Sequence, residues 1–261
     1  MTRLSAKLQE RSGNEDPNTA VHVGDRLPYS LYSPKHPAVC FHDPLAYRWD
    51  RNADEIGTLA SSGMEADPNV ERLRATFQQA RASSDRVREV ALRYEPKVEY
   101  PKGDLAFAAR TAAALIQERA GSRILSIELT GFDTHARQKG THEQLLRELD
   151  GAISAFMADI KGSAGAKRTS VMVFSEFGRR VAENGSLGTD HGTAGPMFLI
   201  GDAVKGGLYN EQPTLSELDE GDLIFNTDFR SVYATVIKDW FGVEPKDVLY
   251  KDYPTLPVYR A

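Results

Sequence analysis

The sequence predicts an α/β fold in which helices cover both faces of a mostly parallel sheet, giving three layers. Short segments that are apolar at nearly every position alternate with longer segments whose apolar residues recur at helical spacing. Strands that are apolar on both faces are typical of parallel sheets buried between helical layers. With 261 residues, of which 41% are hydrophobic, the chain can bury a sizeable core, and α/β domains of this length are often single units.

The chain is expected to begin with a loosely held lead-in over residues 1–18, followed by one domain over 19–261. The lead-in combines a short possible helix, Leu4 to Gln9, with a breaker over residues 13–17 that contains Gly and Pro. The alternating, β-branched segment from Thr19 to Val23 predicts the first strand.

A proline-punctuated run from Pro28 to Pro44 predicts irregular surface chain. Asp67 and Pro68 are a capping residue and a first-turn proline, so a long, polar amphipathic helix is expected from about Asn69 to Tyr94. An apolar stripe predicts another helix that begins near Asp104 and ends at Gly121. The remaining predictions are strands over 123–130, 170–175 and 196–200, and helices over 141–160 and 228–241.

The overall composition argues against several classes of protein. The formal net charge of −5 offers no basic surface for nucleic acid. No apolar stretch approaches the roughly 20 residues of a bilayer-spanning helix. Cys40 is the single cysteine, which excludes an intrachain disulfide and a thiolate cage, and we interpret it as a small buried residue. Residues 1–17 contain neither a signal peptide nor paired arginines, so the chain as given would be cytoplasmic.

Reactive groups in α/β folds gather in the loops after the strands, and three loops of this chain contain candidate ligands. The loop after the strand 123–130 contains Asp133 and His135, which at this spacing can both reach one divalent ion. A helix-capping Asp beside a surface His is the alternative. Glu176 directly follows the next strand and suits a metal ligand or a general base, with a salt bridge to Arg179 as the alternative.

The third loop, over residues 188–195, contains an adjacent Asp and His. Its glycines let a ligand approach without side-chain obstruction, and turn chemistry alone does not account for the imidazole. Together the three loops provide oxygen and nitrogen ligands without sulfur, a set that suits zinc, manganese or iron. The predicted metal ligands are Asp133, His135, Glu176, Asp190 and His191.

The other histidines are not assigned to this site. His142 is a further possibility, but a surface position at a helix end is favoured. His22, His36 and His42 lie in the front half of the chain and are interpreted as ordinary polar residues.

Three motifs carry a resemblance to a known family. They are Gly131-Phe132-Asp133-Thr134-His135, Phe174-Ser175-Glu176-Phe177-Gly178-Arg179-Arg180 and Gly188-Thr189-Asp190-His191-Gly192-Thr193-Ala194-Gly195-Pro196. In this order they resemble domain-of-unknown-function family 1501, and the likeness extends from about Thr19 to Arg260. Members are mostly bacterial and typically exported by the twin-arginine route, and the family is grouped with the alkaline phosphatase, sulfatase and phosphoglycerate mutase superfamily.

The resemblance implies an alkaline phosphatase or sulfatase-like domain with a two-metal centre, periplasmic or exported in full-length relatives. One or two zinc ions, with manganese, calcium or iron as alternatives, would promote hydrolysis of phosphate or sulfate esters on small molecules or polysaccharides. Asp133, His135 and His191 would be ligands, and Glu176 would replace the usual strand-end Asp. The candidate catalytic residue is Arg179, which would make a fork-like contact to the anion. Arg180 is the alternative for this contact.

The front of the family pattern, an apolar strand and a Gly-Gly-x-Asp-Gly-like turn, is not found before Thr19, so we expect the chain to be N-terminally truncated relative to family members. Two other functions are compatible with the sequence: a non-catalytic, metal-stabilised exported binding protein, and a truncated fragment without a function of its own. The former is favoured by the absence of a convincing nucleophile, because Thr134, Ser175, Thr189 and Thr193 are equally well explained as loop and capping residues.

Overall fold

The computed structural model describes residues 1–13, 16–33, 36–48 and 68–260. The chain divides into two compact units, unit 1 (Met1–Glu128) and unit 2 (Leu129–Ala261). The single domain over 19–261 stays a prediction from the sequence. Each unit contains both helices and strands. The predicted α/β class is confirmed at this level.

Unit 1 is built on a three-stranded parallel sheet. Its strands are β1 (Ala20–Val23), β2 (Val39–Phe41) and β3 (Ile124–Ile127), in the order β2-β1-β3. Every residue of β1 is buried, as expected for a central strand that is covered on both faces. The sequence predicted β1 and β3, although β3 is shorter at both ends than the predicted segment.

Strand β2 corrects the prediction of irregular surface chain for the proline-punctuated run. Val39 and Phe41 are buried, and Val39 pairs with Val21 of β1. A strand of three residues is too short to show strand periodicity in the sequence. Its pairing partner, β1, lies outside the proline-punctuated run, so the run itself does not reveal the strand. Cys40 in β2, which the sequence predicted to be a small buried residue, is half-buried, and this burial raises the pKa of its thiol.

The described part of unit 1 also contains three α-helices, α1 (Thr2–Ser12), α2 (Pro68–Arg93) and α3 (Asp104–Gln117), and two short 3-10 helices, Pro17–Thr19 and Tyr29–Leu31. Helix α1 extends the predicted short helix and buries Leu4 and Leu8, so this part of the predicted lead-in is helical and packed. It ends at Gly13, whose φ of 61° is a conformation that favours glycine. Helices α2 and α3 agree with the predictions to within a few residues, while the predicted cap Asp67 lies outside the described residues.

The centre of the sheet in unit 1 contains a buried histidine. His22 on β1 is 1% exposed, and its Nδ1 lies 3.1 Å from Oγ of Ser126 on β3. Burial lowers the pKa of His22 below its ordinary value of 6.5, although the charge of Glu128 and a hydrogen bond to the backbone of Ser126 act in the opposite direction. A Cβ at Gly24 would lie 2.5 Å from Nε2 of His22, so the imidazole fills the space of a missing side chain. His22 is therefore a polar residue of the core, and among the described residues it does not belong to a group of potential metal ligands.

Unit 2 contains one long helix, three pairs of short strands and two short helices. Helix α4 (Gln138–Ile160) begins three residues before the predicted segment. The strands are β4 (Val171–Val173), β5 (Gly178–Arg179), β6 (His191–Gly192), β7 (Phe198–Ile200), β8 (Leu218–Asp219) and β9 (Asp222–Leu223). Helix α5 (Phe229–Thr235), a π-helical segment (Val236–Trp240) and helix α6 (Pro245–Leu249) follow. None of the helices in the described parts of either unit has the length and apolar character needed to cross a bilayer.

The pairing of β4 with β7 differs from the mostly parallel sheet that the sequence predicted. The two strands are antiparallel, with Val171 opposite Ile200 and Val173 opposite Phe198. A parallel pair needs a crossover connection, usually a helix. The chain between β4 and β7 instead forms loops and the antiparallel pair β5-β6. The apolar runs predicted the two strands correctly but contained no information about their relative direction.

Candidate metal centre

Unit 2 brings three of the predicted ligands together. Asp133 and His135 lie in the loop that leads into α4, and His191 lies on β6. One ligand atom from each of these side chains lies within 4.8 Å of the other two. We call Asp133, His135 and His191 the cation cluster. Within the described parts of the chain, no other group of three or more His, Cys, Asp or Glu side chains has this spacing.

Both imidazoles of the cation cluster face the same carboxylate oxygen. Nε2 of His191 lies 2.7 Å from Oδ1 of Asp133, and Nε2 of His135 lies 3.0 Å from it. The hydrogen bonds from His191 and then His135 hold the pKa of the Asp133 carboxyl below its ordinary value. Two nitrogens and one oxygen therefore point into one small volume, which is the arrangement that chelation requires.

The cation cluster is open to solvent. The exposed fraction of the side chain is 67% for Asp133, 50% for His135 and 42% for His191. A cation can therefore reach the cluster directly from solution. Because the protein contributes three side chains, a further coordination position would be available to a substrate or to water.

Asp190 lies behind His135 and outside the cation cluster. Its Oδ1 is 3.7 Å from Nδ1 of His135, on the opposite side of the ring from Asp133. Asn184 donates from Nδ2 to Oδ1 of Asp190 at 3.3 Å and to the His135 carbonyl at 3.1 Å. The 3.7 Å separation is longer than a hydrogen bond. The structure thus places Asp190 beside His135 and outside the cation cluster, where the sequence predicted a ligand.

Glu176 also lies outside the cation cluster. Its side chain is exposed in the segment between β4 and β5. The next residue carries the contact to the cluster: the ring of Phe177 stacks on the imidazole of His191, with centroids 3.9 Å apart and planes inclined by 8°. The predicted replacement of a strand-end Asp by Glu176 therefore has no support from the position of its side chain.

Two glycines allow backbone segments to approach each other closely. A Cβ at Gly178 would lie 1.7 Å from the carbonyl oxygen of Ala194, and a Cβ at Gly188 would lie 2.5 Å from the carbonyl group of His135. The sequence analysis expected close backbone approach at Gly178 and reserved the glycines of the loop 188–195 for an approaching ligand. In the structure neighbouring backbone occupies them, so the glycines serve the contact between the ligand-bearing segments.

The guanidinium of Arg179 lies between the two segments that bear the cation cluster. Its Nη1 donates to the Thr189 carbonyl at 2.6 Å. Its Nη2 donates to the Phe132 carbonyl and, at 3.1 Å, to Oγ1 of Thr134. These contacts differ from both roles that the sequence suggested for Arg179, the fork-like contact to an anion and the salt bridge to Glu176.

Arg180, the alternative anion-binding residue, pairs with a carboxylate instead. Its Nε lies 3.2 Å from Oδ1 of Asp222 on β9, and its backbone N–H donates to the carbonyl of Asp190. Thr193 donates to the carbonyl of Leu223 at 2.8 Å, which links β9 to the segment after β6 as well.

Asn184 is a site residue that the sequence prediction missed. Besides the bonds of its Nδ2, its Oδ1 accepts from the N–H groups of Ser186 and Gly188. Leu187, with a φ of 61°, lies within the same turn. The signal was present in the sequence, because Asn followed by Gly is typical of turns in which a side chain caps the backbone.

One comparison with known proteins identifies the family. A family model described as "Protein of unknown function (DUF1501)" matches residues 50–251. The chain belongs to this family. The match covers most of the chain, although less than the likeness from Thr19 to Arg260 that the motifs suggested. No curated protein and no solved structure matches the chain.

All the segments that bear the cation cluster lie inside the part matched by the DUF1501 family. His142, for which the sequence favoured a surface position over a ligand role, lies with Nδ1 3.3 Å from Nε2 of Gln138, and its ring meets Phe132 edge to face. It is half-buried and does not join the cluster. Nδ1 of His36 donates to Oε1 of Gln9 at 2.8 Å, and Nδ1 of His42 lies 3.5 Å from Oδ1 of Asp25.

The donor chemistry of the cation cluster fits a divalent transition metal. One carboxylate and two neutral imidazoles are a common zinc ligand set, and a fourth position is usually left to water or substrate in catalytic sites. Two nitrogen ligands argue against calcium, which prefers oxygen. The described residues support one such site in this DUF1501 family member, whereas the resemblance implied one or two ions.

Proposed function

We propose that this chain binds a divalent cation, preferably zinc, at the cation cluster and serves the hydrolysis of phosphate or sulfate esters. The observation that carries the proposal is the convergence of a carboxylate and two imidazoles from positions up to 58 residues apart. An alkaline phosphatase or sulfatase-like, three-layer architecture belongs to the same proposal. The parallel sheet of unit 1 and the order of the three motifs support it.

Each residue around the cation cluster has a distinct role in this proposal. Asp133, His135 and His191 hold the cation, and Asp190 keeps His135 oriented through Nδ1. The bound cation supplies Lewis acidity towards an oxygen of the ester. The exposure of the cluster leaves room for an ester on a small molecule or on a polysaccharide. Twin-arginine export and a periplasmic location stay predictions from the family resemblance.

A second candidate function is a non-catalytic protein that the cation stabilises and that binds another exported molecule. The hydroxyl groups beside the cluster favour it, because they already have partners. Oγ1 of Thr134 accepts from Arg179, and Oγ1 of Thr189 donates to Gln138 at 2.8 Å. Neither hydroxyl is therefore poised as a nucleophile, which needs an adjacent base.

Isothermal titration of the purified chain with Zn²⁺ and Mn²⁺ tests the cation site. His191→Ala should weaken Zn²⁺ binding by about 100-fold, because it removes one of three ligands. His42→Ala is a matched control, since His42 is 44% exposed and His191 is 42% exposed, and both lie close to an aspartate. The control should bind like the wild type. Equal affinity in all three proteins would contradict the site.

Hydrolysis of chromogenic phosphate and sulfate esters separates the candidate functions. Zinc-dependent turnover that His191→Ala abolishes and His42→Ala preserves supports the hydrolase. Tight zinc binding without turnover supports the binding protein. Absence of both zinc binding and turnover contradicts both candidates and supports the third hypothesis, a fragment without a function of its own.

A further inference from the structure

We propose that Arg179 is a positioning residue: its guanidinium holds the Asp133 segment at the correct distance from the His191 segment, and it does not bind the anionic part of a substrate. This inference rests on the proposed cation site. It gives a role to a side chain whose residue type and motif suggested anion recognition instead.

The contacts of Arg179 bracket both ligand-bearing segments. The acceptors Phe132 and Thr134 are the residues on either side of Asp133. The third acceptor, the Thr189 carbonyl, precedes His191 by two residues. The guanidinium thus donates hydrogen bonds to residues close to Asp133 in one segment and close to His191 in the other.

The position of Arg179 in the strand pair makes this link specific. Arg179 on β5 lies directly opposite His191 on β6 in the antiparallel ladder. The position of His191 relative to Arg179 is therefore set by the backbone. The bonds to Phe132 and Thr134, 47 and 45 residues away in the chain, transmit that position to Asp133. The 2.7 Å contact between Asp133 and His191 depends on this connection.

The hydrogens of the guanidinium are distributed in a way that excludes a two-pronged anion contact. Arginine has five N–H donors, with two on each Nη and one on Nε. Each fork of the group that can hold a carboxylate, phosphate or sulfate side by side uses an Nη2 hydrogen. In Arg179 both Nη2 hydrogens already go to Phe132 and Thr134.

Aromatic packing limits the freedom of the guanidinium further. Cζ of Arg179 lies 5.2 Å from the centroid of the Phe177 ring, and the same ring stacks on His191. A lysine at this position would keep the positive charge but present a single point donor, which cannot reach three separate oxygens in one plane. Arg179→Lys is therefore the informative substitution, because it retains the positive charge and removes the planar guanidinium.

The test compares Arg179→Lys with Arg260→Lys in the full chain. Arg260 is a matched control because its Nη1 also donates over a long sequence distance, at 3.0 Å to the Asp202 carbonyl, without touching the ligand-bearing segments. The measurements are the affinity for Zn²⁺ by titration, the visible absorption spectrum of bound Co²⁺, and the melting temperature. We expect Arg179→Lys to bind Zn²⁺ about tenfold more weakly and to change the Co²⁺ spectrum, by analogy with other outer-sphere partners of metal ligands. Arg260→Lys should leave both unchanged.

A second variant keeps the test decisive if Arg179→Lys does not fold. Thr134→Val removes one acceptor of Arg179, retains a β-branched shape and leaves the arginine in place. It should weaken Zn²⁺ binding by about threefold, the size expected for one neutral hydrogen bond. Wild-type affinity in Thr134→Val, together with an unfolded Arg179→Lys, would contradict the proposal.

The outcomes distinguish this inference from the proposed function. Failure of the wild-type chain to bind Zn²⁺ contradicts both. Zinc binding by the wild type with the same affinity and Co²⁺ spectrum in Arg179→Lys contradicts the positioning role alone. Unchanged Zn²⁺ affinity with weaker binding of inorganic phosphate or sulfate to the zinc-loaded variant would return Arg179 to anion recognition and also overturn the inference.

Discussion

The imidazoles of unit 1 and unit 2 are held by different kinds of interaction. His22 lies on the central strand of a parallel sheet, is almost completely buried, and fills the space above Gly24. His135 and His191 are about half exposed and lie in a loop and a two-residue strand. Burial lowers the pKa of His22. His135 and His191 instead contact the Asp133 carboxylate.

This contrast shows what makes a histidine available for chemistry. In unit 1 the packing of the core fixes the ring, and its environment favours the neutral form. In unit 2 hydrogen bonds, stacking and glycine contacts between segments fix the rings, and their Nε2 atoms face one carboxylate oxygen in a solvent-exposed cluster. Core packing therefore explains His22 without a ligand, while the arrangement of His135 and His191 leaves donors converging on a point where a cation fits.

The largest effect is expected from a steric change in unit 2. Gly178→Ala places a Cβ 1.7 Å from the Ala194 carbonyl oxygen, so β5 and the segment after β6 must move apart. We expect a loss of about 3 kcal/mol in the free energy of unfolding, at the upper end for overpacking, together with loss of Zn²⁺ binding. Gly185→Ala is the control, because a Cβ there meets nothing within 4 Å. Equal denaturant midpoints for the two variants would contradict close contact as the reason for Gly178.

Acid should weaken unit 1 through His22. Its folded pKa lies below the ordinary value of 6.5, so above that pH both the folded and unfolded states are neutral and the stabilisation is complete. As the pH falls below 6.5, the unfolded state takes up a proton that the folded state resists, and stability declines until the pH passes the folded pKa. The slope for one such group is at most about 1.4 kcal/mol per pH unit.

Hydrogen exchange of the β1 amides between pH 7.5 and 5, corrected for intrinsic exchange rates, measures this decline locally. His22→Asn can keep a polar contact near Ser126 but does not titrate, so its stability should depend less on pH. If the stability of His22→Asn falls with pH as much as that of the wild type, groups other than His22 cause the acid sensitivity.

A smaller effect is expected from the carboxylate behind His135. Asp190→Asn keeps the size of the side chain but removes the negative charge 3.7 Å from Nδ1 of His135. In the proposed cation-bound state that charge favours a proton on Nδ1 and leaves Nε2 to the cation. Zn²⁺ affinity measured by titration should fall by about tenfold, at the lower end for such partners. Glu183→Gln removes an exposed negative charge nearby in the chain and serves as control. An equal loss in both variants would indicate a general electrostatic effect and contradict orientation by Asp190.

The smallest effect is expected from the stack between Phe177 and His191. Phe177→Leu keeps an apolar side chain but loses the parallel ring contact at 3.9 Å. Because such contacts contribute about 0.5–1.5 kcal/mol, Zn²⁺ affinity should fall by about threefold. Phe225→Leu changes another aromatic residue of unit 2, which is 58% exposed, and should bind normally. Unchanged affinity in Phe177→Leu would show that the imidazole needs no support from this ring.

Local patterns in the sequence were sufficient for most of the helices and for the main candidate ligands. Helix α3 was predictable because its apolar stripe depends only on neighbouring turns. Asp133, His135 and His191 were predictable because unusual residue types stand in loops beside apolar strands, and their motifs identify the family. None of these features requires knowledge of a distant partner.

Long-range contacts decided the rest, because strand partners and hydrogen-bond acceptors lie far away in the chain. Strand β2 exists because β1 pairs with it, and β4 meets β7 in an antiparallel pair that its apolar residues do not encode. In the same way, a sequence motif predicts an arginine suited to anions, but Phe132 and Thr134, brought close by folding, take the hydrogens of Arg179. Residue type limits what a side chain can bind, and the neighbours supplied by the fold select which of those partners it meets.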